Sequence, residues 1–226
     1  MTDTPAVLAC RCGACRIGLS DPRMRYRAEC LCCDCRQRGL ISAARGTGNA
    51  LPEAVLRYER GIDLYYFANA LIVGHASRAL LEFSKLRADA SNTTAMSACC
   101  GTLMCGIHPL YEGCSISVNA DSCRVSVPEV IPTQMVGFGC DIPAERWAVR
   151  RARGDVPMVY SVADELESPP MVALRRALTT PVEPRYLGPG VTTFEALCAS
   201  APVRLDDAFF AESRAGRPGG AETVSR

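Results

Sequence analysis

The sequence predicts a mainly β fold followed by a short-helical extension, and three observations carry that reading. In residues 1–128 the β-branched and aromatic residues come in short runs. Turn formers separate those runs, and no segment holds a clean helical period for three turns. Beyond residue 128, Pro157, Pro169, Pro170, Pro181, Pro184, Pro189 and Pro202 cut the chain into brief pieces. The expected strands are 7–12, 55–58, 64–67, 80–83 and 115–118, with turns at 46–49, 60–63 and 90–92. Antiparallel pairing is expected among these strands of the first part. A boundary is expected near 128–132, giving a domain at 1–128, an extension at 129–212 and a disordered Gly/Arg/Ala/Ser-rich tail at 213–226. Two helices are expected in the extension. One has Ser168 as cap, Pro169 and Pro170 in its first turn, and a stripe of Met171, Leu174 and Leu178. The other follows a capping-box pattern from Thr192 to Glu195.

Composition narrows the function. The 226 residues include 48% hydrophobic side chains, enough for a core, and a formal net charge of +1. Near-neutrality argues against a nucleic-acid or anionic-membrane binder that works by bulk electrostatics. No apolar run approaches the roughly 18 residues of a membrane span. The first residues carry no basic flank or long apolar stretch, so the expected compartment is the cytoplasm. Lys85 is the only lysine among 25 basic residues, so a lysine nucleophile could be nothing else. The arginines around Trp147 (Arg146, Arg150, Arg151, Arg153) read as a solvated helix face.

Cysteine is the outlier at 14 residues. In a reducing compartment, clustered thiols read as metal ligands or catalytic groups. Nine lie in three clumps: Cys10, Cys12, Cys15; Cys30, Cys32, Cys33, Cys35; and Cys99, Cys100. Alternation along a strand puts Cys10 with Cys12, and Cys30 with Cys32, on common faces, while Cys33 points away. Cys35 comes within reach through a tight turn. Zinc suits such soft donors but needs more than one Cys-x-Cys pair, so Cys99 and Cys100 are expected to complete one set. The alternative for the clumps is a group of buried hydrophobic thiols. For the scattered Cys105, Cys114, Cys123, Cys140 and Cys198 a core role is the expectation.

The order Cys10-Arg-Cys12-Gly13, Cys30-Leu-Cys32-Cys-Asp-Cys35-Arg36 and Cys100-Gly101-Thr102 resembles the glutathione-dependent formaldehyde-activating enzyme and centromere protein V (GFA) family. The resemblance covers roughly residues 7–125. It implies a β-tent, two small antiparallel sheets pinned by zinc, with one or two zinc ions per chain. One zinc would be structural, held by Cys10, Cys12, Cys100 and a fourth residue. The other would be held by Cys30, Cys32 and Cys35, which are also the catalytic residues the resemblance implies. Two positions depart from the family pattern. Ser97 stands where the late motif has cysteine; Cys99 is the expected substitute, with a set rebuilt around Cys15 or one without metal as the rivals. Leu31 stands where histidine is common.

Three thiolates on zinc leave a coordination position open, which marks a catalytic centre. The function the resemblance implies is a zinc-dependent carbon–sulfur lyase acting on a small thiol adduct, with a thiol such as glutathione as partner. The alternative is a non-catalytic zinc module whose second half binds a partner. Supporting roles are open to Arg36 and Arg38 for substrate carboxylates, and to Asp34 and His108 near the metal. His75 reads as a loop residue.

Overall fold

A computed structural model describes residues 6–46, 48 and 50–206; the expected tail at 213–226 lies outside them, as does part of the turn at 46–49. The first half runs β1 (Val7–Ala9), β2 (Arg16–Leu19), β3 (Tyr26–Cys30), α1 (Cys33–Arg45), α2 (Glu53–Leu56), β4 (Ile62–Ala68) and β5 (Leu71–Ile72). It continues α3 (His75–Arg78), β6 (Leu81–Lys85), β7 (Thr93–Ser97), β8 (Leu103–Ile107), β9 (Ser115–Asn119) and β10 (Arg124–Ser126). Then follow β11 (Met135–Gly137), α4 (Ala144–Arg153), α5 (Pro169–Thr179), β12 (Val191–Thr192), α6 (Phe194–Cys198) and β13 (Val203–Leu205).

The fold is mainly β, in two sheets. Five strands pair in the order β10-β1-β2-β5-β12, and eight in the order β11-β3-β4-β9-β8-β7-β6-β13. The larger sheet is mixed rather than purely antiparallel: its two edge strands, β11 and β13, run parallel to β3 and β6. Both edges come from the second half of the chain. The boundary expected near 128–132 therefore coincides with no break in the sheets, since β12 also extends the smaller one.

One core lies between the sheets, where Leu8, Ile17 and Leu19 meet Phe67, Phe83 and Ile116. Phe194 of α6 closes it with an edge-on ring contact to Phe83 at 5.4 Å. A second core covers the other face of β3 and β4, where Tyr26, Ala28, Leu64 and Tyr66 pack against Val55 of α2 and Met171 and Leu178 of α5. Alternation in β3 buries Tyr26, Ala28 and Cys30, which delivers Cys30 to this core face.

Two local expectations fail. The stretch after Cys32 is a helix of 13 residues, α1, not an extended run with a turn. Its inner face carries Arg38, Gly39, Ile41 and Ser42, so packing is largely polar or small and leaves no apolar stripe to read. Residues 55–58 are not a strand either. Pro52 and Glu53 start the short helix α2, and Tyr58 takes a left-handed backbone at φ 58°. The expected α5 is present with Pro169 at its start, and α6 begins one residue later than expected. Its cap is Thr193, whose hydroxyl accepts from Ala196 N–H, while Glu195 bonds Asn69 at 2.7 Å instead of closing a capping box. Among the described residues no helix is long and apolar enough to cross a membrane.

Candidate metal centres

The structure brings seven of the cysteines into two sets. In the first, the sulfurs of Cys10, Cys12, Cys99 and Cys100 all lie within 4.8 Å of one another. Cys10 and Cys12 do not share a strand face; both sit in the turn after β1, closed by Gly13 N–H donating to Cys10 O at 2.9 Å. Cys99 and Cys100 occupy the tip of the β7–β8 hairpin, where Ser97 N–H donates to Thr102 O at 2.9 Å and Gly101 N–H to Ser97 O at 2.8 Å. Gly101 makes this turn possible: its φ is +66°, and a Cβ there would meet Cys-loop-packing Arg45 at 2.6 Å. The four-residue tip is how two adjacent cysteines can both face one centre.

Sulfur separations bear on what this set can do. Cys10–Cys12 is 3.4 Å, Cys10–Cys99 3.6 Å and Cys12–Cys99 3.4 Å. A disulfide would need about 2.0 Å. A tetrahedral metal centre with bonds of about 2.3 Å has sulfur–sulfur edges of about 3.8 Å, close to these values. Cys15 stays out of the set. Its sulfur turns to Ser77 O at 3.6 Å, while its N–H donates to Cys10 Sγ at 3.2 Å. Ser97 contributes a hydroxyl, not a ligand, at 3.3 Å from Cys100 Sγ; Thr102 Oγ1 lies 3.2 Å from the same sulfur. Burial raises the Cys100 pKa, but the hydrogen bonds from Ser97, Thr102 and Cys12 outweigh it and bring the thiol down to about 5. Cys99 goes the other way, pushed to about 12 by burial and by its contacts with Cys12 and Cys10.

The second set is Cys30, Cys32 and Cys35. Cys30 ends β3, Cys32 is the N-cap of α1, and Cys35 lies in the first turn of that helix. Cys30 and Cys32 sulfurs are 3.2 Å apart, and Cys35 N–H donates to Cys32 Sγ at 3.2 Å. Gly61 lets β4 close against the first ligand, because a Cβ there would stand 2.5 Å from Cys30 O. The helix N-terminus favours negative charge on all three sulfurs. Contacts with Cys30 and Cys32, helped by Arg38, hold Cys35 well below the usual thiol range. Cys30 is pulled down by Cys32 but pushed further up by Cys35 and by burial; Cys32 is pushed up by both neighbours. Three sulfurs this close cannot all ionise unaided, and a divalent cation is what such a donor set accommodates. Among the described residues no fourth Cys, His, Asp or Glu joins them.

α1 links the two sets. It starts at Cys33 beside the three-sulfur set, and Ser42 Oγ, further along, donates to Gly101 O at 2.7 Å in the four-sulfur loop. The helix spans about 20 Å.

The other expected site residues have separate positions. Cys33 opens α1, with its N–H donating to Asp141 at 2.8 Å. Asp34 pairs with Arg87 at 2.9 Å. Arg36 stacks on Tyr58 at 4.3 Å from the ring centre and donates to Leu56 O, so it is a packing residue. His108 caps the 3-10 turn Pro109–Tyr111 through Nδ1, and His75 begins α3; neither joins a sulfur set. Leu31 is buried against Val136 and Ile142 of the second half. Arg150 is not part of a solvated face: it pairs with Glu29 at 2.6 Å and bonds Glu59 O, whereas Arg146, Arg151 and Arg153 are exposed. Cys105 and Cys123 are buried, and Cys140 is exposed.

Beside Cys35 is a cavity of about 50 Å³ lined by Arg38, Asn92, Thr94, Tyr111 and Ser117 among others. Of these the sequence pointed only to Arg38. The rest arrive from β7, β9 and the loops around them, and no local motif announces their convergence. The chain matches no family model, no curated protein and no solved structure.

Proposed function

We propose that this protein is a zinc-dependent carbon–sulfur lyase acting on a small thiol adduct, in chemistry of the glutathione–formaldehyde type. One observation carries the reading: three sulfurs converge at a helix N-terminus next to a cavity, while a second set elsewhere has four. A divalent metal held by four thiolates is closed, and one held by three has room for a substrate. The motif resemblance to the GFA family supports the same assignment of roles.

Bound at Cys30, Cys32 and Cys35, zinc would supply Lewis acidity and lower the pKa of a thiol. In the reaction a bond forms between the thiol sulfur and the carbonyl carbon, the carbonyl π bond breaks, and the proton lost by sulfur ends on oxygen; the reverse direction cleaves the adduct. The chain supplies orientation and donors. Tyr111 lines the cavity, and burial outweighs the opposing hydrogen bonds with Ser117 and Tyr66 and holds its hydroxyl protonated at neutral pH. It is the donor best suited to the oxygen that gains charge. Cys10, Cys12, Cys99 and Cys100 would hold a second, structural ion.

Metal analysis and X-ray absorption on the purified protein test this. Two metal ions per chain are expected, with an added thiol entering the coordination shell of one. Four protein ligands at every metal, unchanged by thiols, would end the lyase reading and leave a structural zinc module.

A further inference from the structure

Two residues that line the cavity beside Cys35 each carry a buried polar atom with no hydrogen-bond partner: Nε of Arg38 and Oδ1 of Asn92. Arg38 is only 5% exposed. Its guanidinium donates to Thr94 Oγ1 at 2.7 Å and to the backbone oxygen of Asn92 at 3.2 Å, both neutral acceptors. Among the described residues no carboxylate pairs with it. A buried cation held only by neutral acceptors is costly unless an anion reaches it. Cys35 and Asp34, followed by Cys32 and Asp206, offset part of its charge from a distance. They do not give Nε an acceptor in contact.

We infer that this cavity takes the carboxylate of a compact mercapto acid, with Arg38 binding the carboxylate and Asn92 Oδ1 accepting from a hydroxyl or amino group on the neighbouring carbon. The inference rests on the lyase reading and narrows its substrate. Size supports it. A cavity of about 50 Å³ has room for roughly three or four waters, which suits a carboxylate. Sites that enclose larger ligands measure about 300 Å³ or more, so a whole tripeptide is not enclosed here. The sulfur of such an acid would sit at the three-cysteine set, and its charged end would lie against Arg38. An Arg–carboxylate contact away from water is strong and directional, which makes it a specificity element.

The full-length protein loaded with cobalt(II) provides the test, because sulfur-to-metal absorption reports each thiol that enters coordination. The probes are 3-mercaptopropionate, its neutral counterpart 3-mercaptopropan-1-ol, and 3-mercaptolactate. The acid is expected to saturate the signal at roughly tenfold lower concentration than the alcohol, or better. Arg38→Gln should erase that preference, bringing the acid-to-alcohol ratio of saturating concentrations to about one. Asn92→Ala should remove only the extra affinity of 3-mercaptolactate. If Arg38→Gln does not fold, the acid–alcohol comparison on the unaltered protein still decides. Equal binding of acid and alcohol overturns the carboxylate subsite and leaves the lyase reading standing. A spectrum that no thiol perturbs overturns the lyase reading, and the subsite with it.

Discussion

The two sulfur sets use one chemistry at opposite sequence separations. Cys12 and Cys99 are 87 residues apart, and the loops that carry them belong to different sheets. Cys30, Cys32 and Cys35 span a single strand-to-helix junction. A cross-link that closes a long loop removes much of the freedom of the unfolded chain, and one that closes a few residues removes little. Exposure follows the same division. Cys12 and Cys99 are exposed, whereas Cys35 of the local set lines a cavity together with Arg38 and Tyr111. The distant set is thus suited to holding the sheets together, and the local set can be left coordinatively incomplete at small cost to the fold.

The largest expected effect breaks that contrast if it is mistaken. Cys12→Ser removes a candidate ligand on an exposed side chain, so lost packing contributes little and the change reports what a metal held there contributes. If loss of that ligand empties the set, the cost should be roughly 4–5 kcal/mol, the order expected when a loop of about 90 residues is released and comparable to the whole margin of the least stable domains. Cys32→Ser should cost about 1 kcal/mol, because only a short loop is opened and a serine hydroxyl can still cap α1. Urea unfolding with metal content measured alongside separates them. Equal losses for both variants would show that the local set is as structural as the distant one.

The two sulfur sets were legible because the capacity to hold a metal is written as residue type and spacing, which survive any error in secondary structure. Cys10 and Cys12 were assigned to a strand and lie in a turn, yet they belong to the expected set. Cys99 in place of Ser97 was legible for the same reason. The helix α1 was not, since its buried face uses Arg38, Gly39 and Ser42 rather than an apolar stripe. The cavity was not legible either. Asn92, Thr94 and Ser117 stand on segments far from Cys35 in sequence, and only strand pairing brings them together. The second half looked like an extension because prolines fragment it, but its short strands find their partners in sheets that already exist.

Leu31 sharpens the comparison from the side facing away from chemistry. It lies between two ligands of the local set, yet its side chain is buried against Val136 and Ile142, with Trp147 and Phe138 packed around them. Its N–H donates to Gly137 O at 3.0 Å. The residue between the paired cysteines therefore docks the second half of the chain. Leu31→Ala should cost roughly 2–4 kcal/mol through the cavity it leaves. Hydrogen exchange should rise first in β11 and around α4, with metal content at both sets retained. Loss of metal from the local set ahead of that opening would mean Leu31 serves the ligands rather than the docking.

The smallest expected effect concerns the helix start itself. Asp141, from the second half, accepts from Cys33 N–H at 2.8 Å and places a carboxylate at the N-terminus of α1, close to Cys32 and Cys35. Its hydrogen bond satisfies one of the helix's unpaired donors, and its charge complements the helix dipole. The same charge repels three thiolates, so the two contributions oppose each other at the metal while only the first acts on the fold. Asp141→Ala should therefore destabilise the protein by about 1 kcal/mol, and Asp141→Asn by less, since the amide oxygen keeps the hydrogen bond. Metal affinity at the local set should change by less than the stability does, and the four-sulfur set should not respond. Competition with a chelator, followed for each set, measures this. A large drop in affinity confined to the local set would show that the second half controls that centre through this single hydrogen bond.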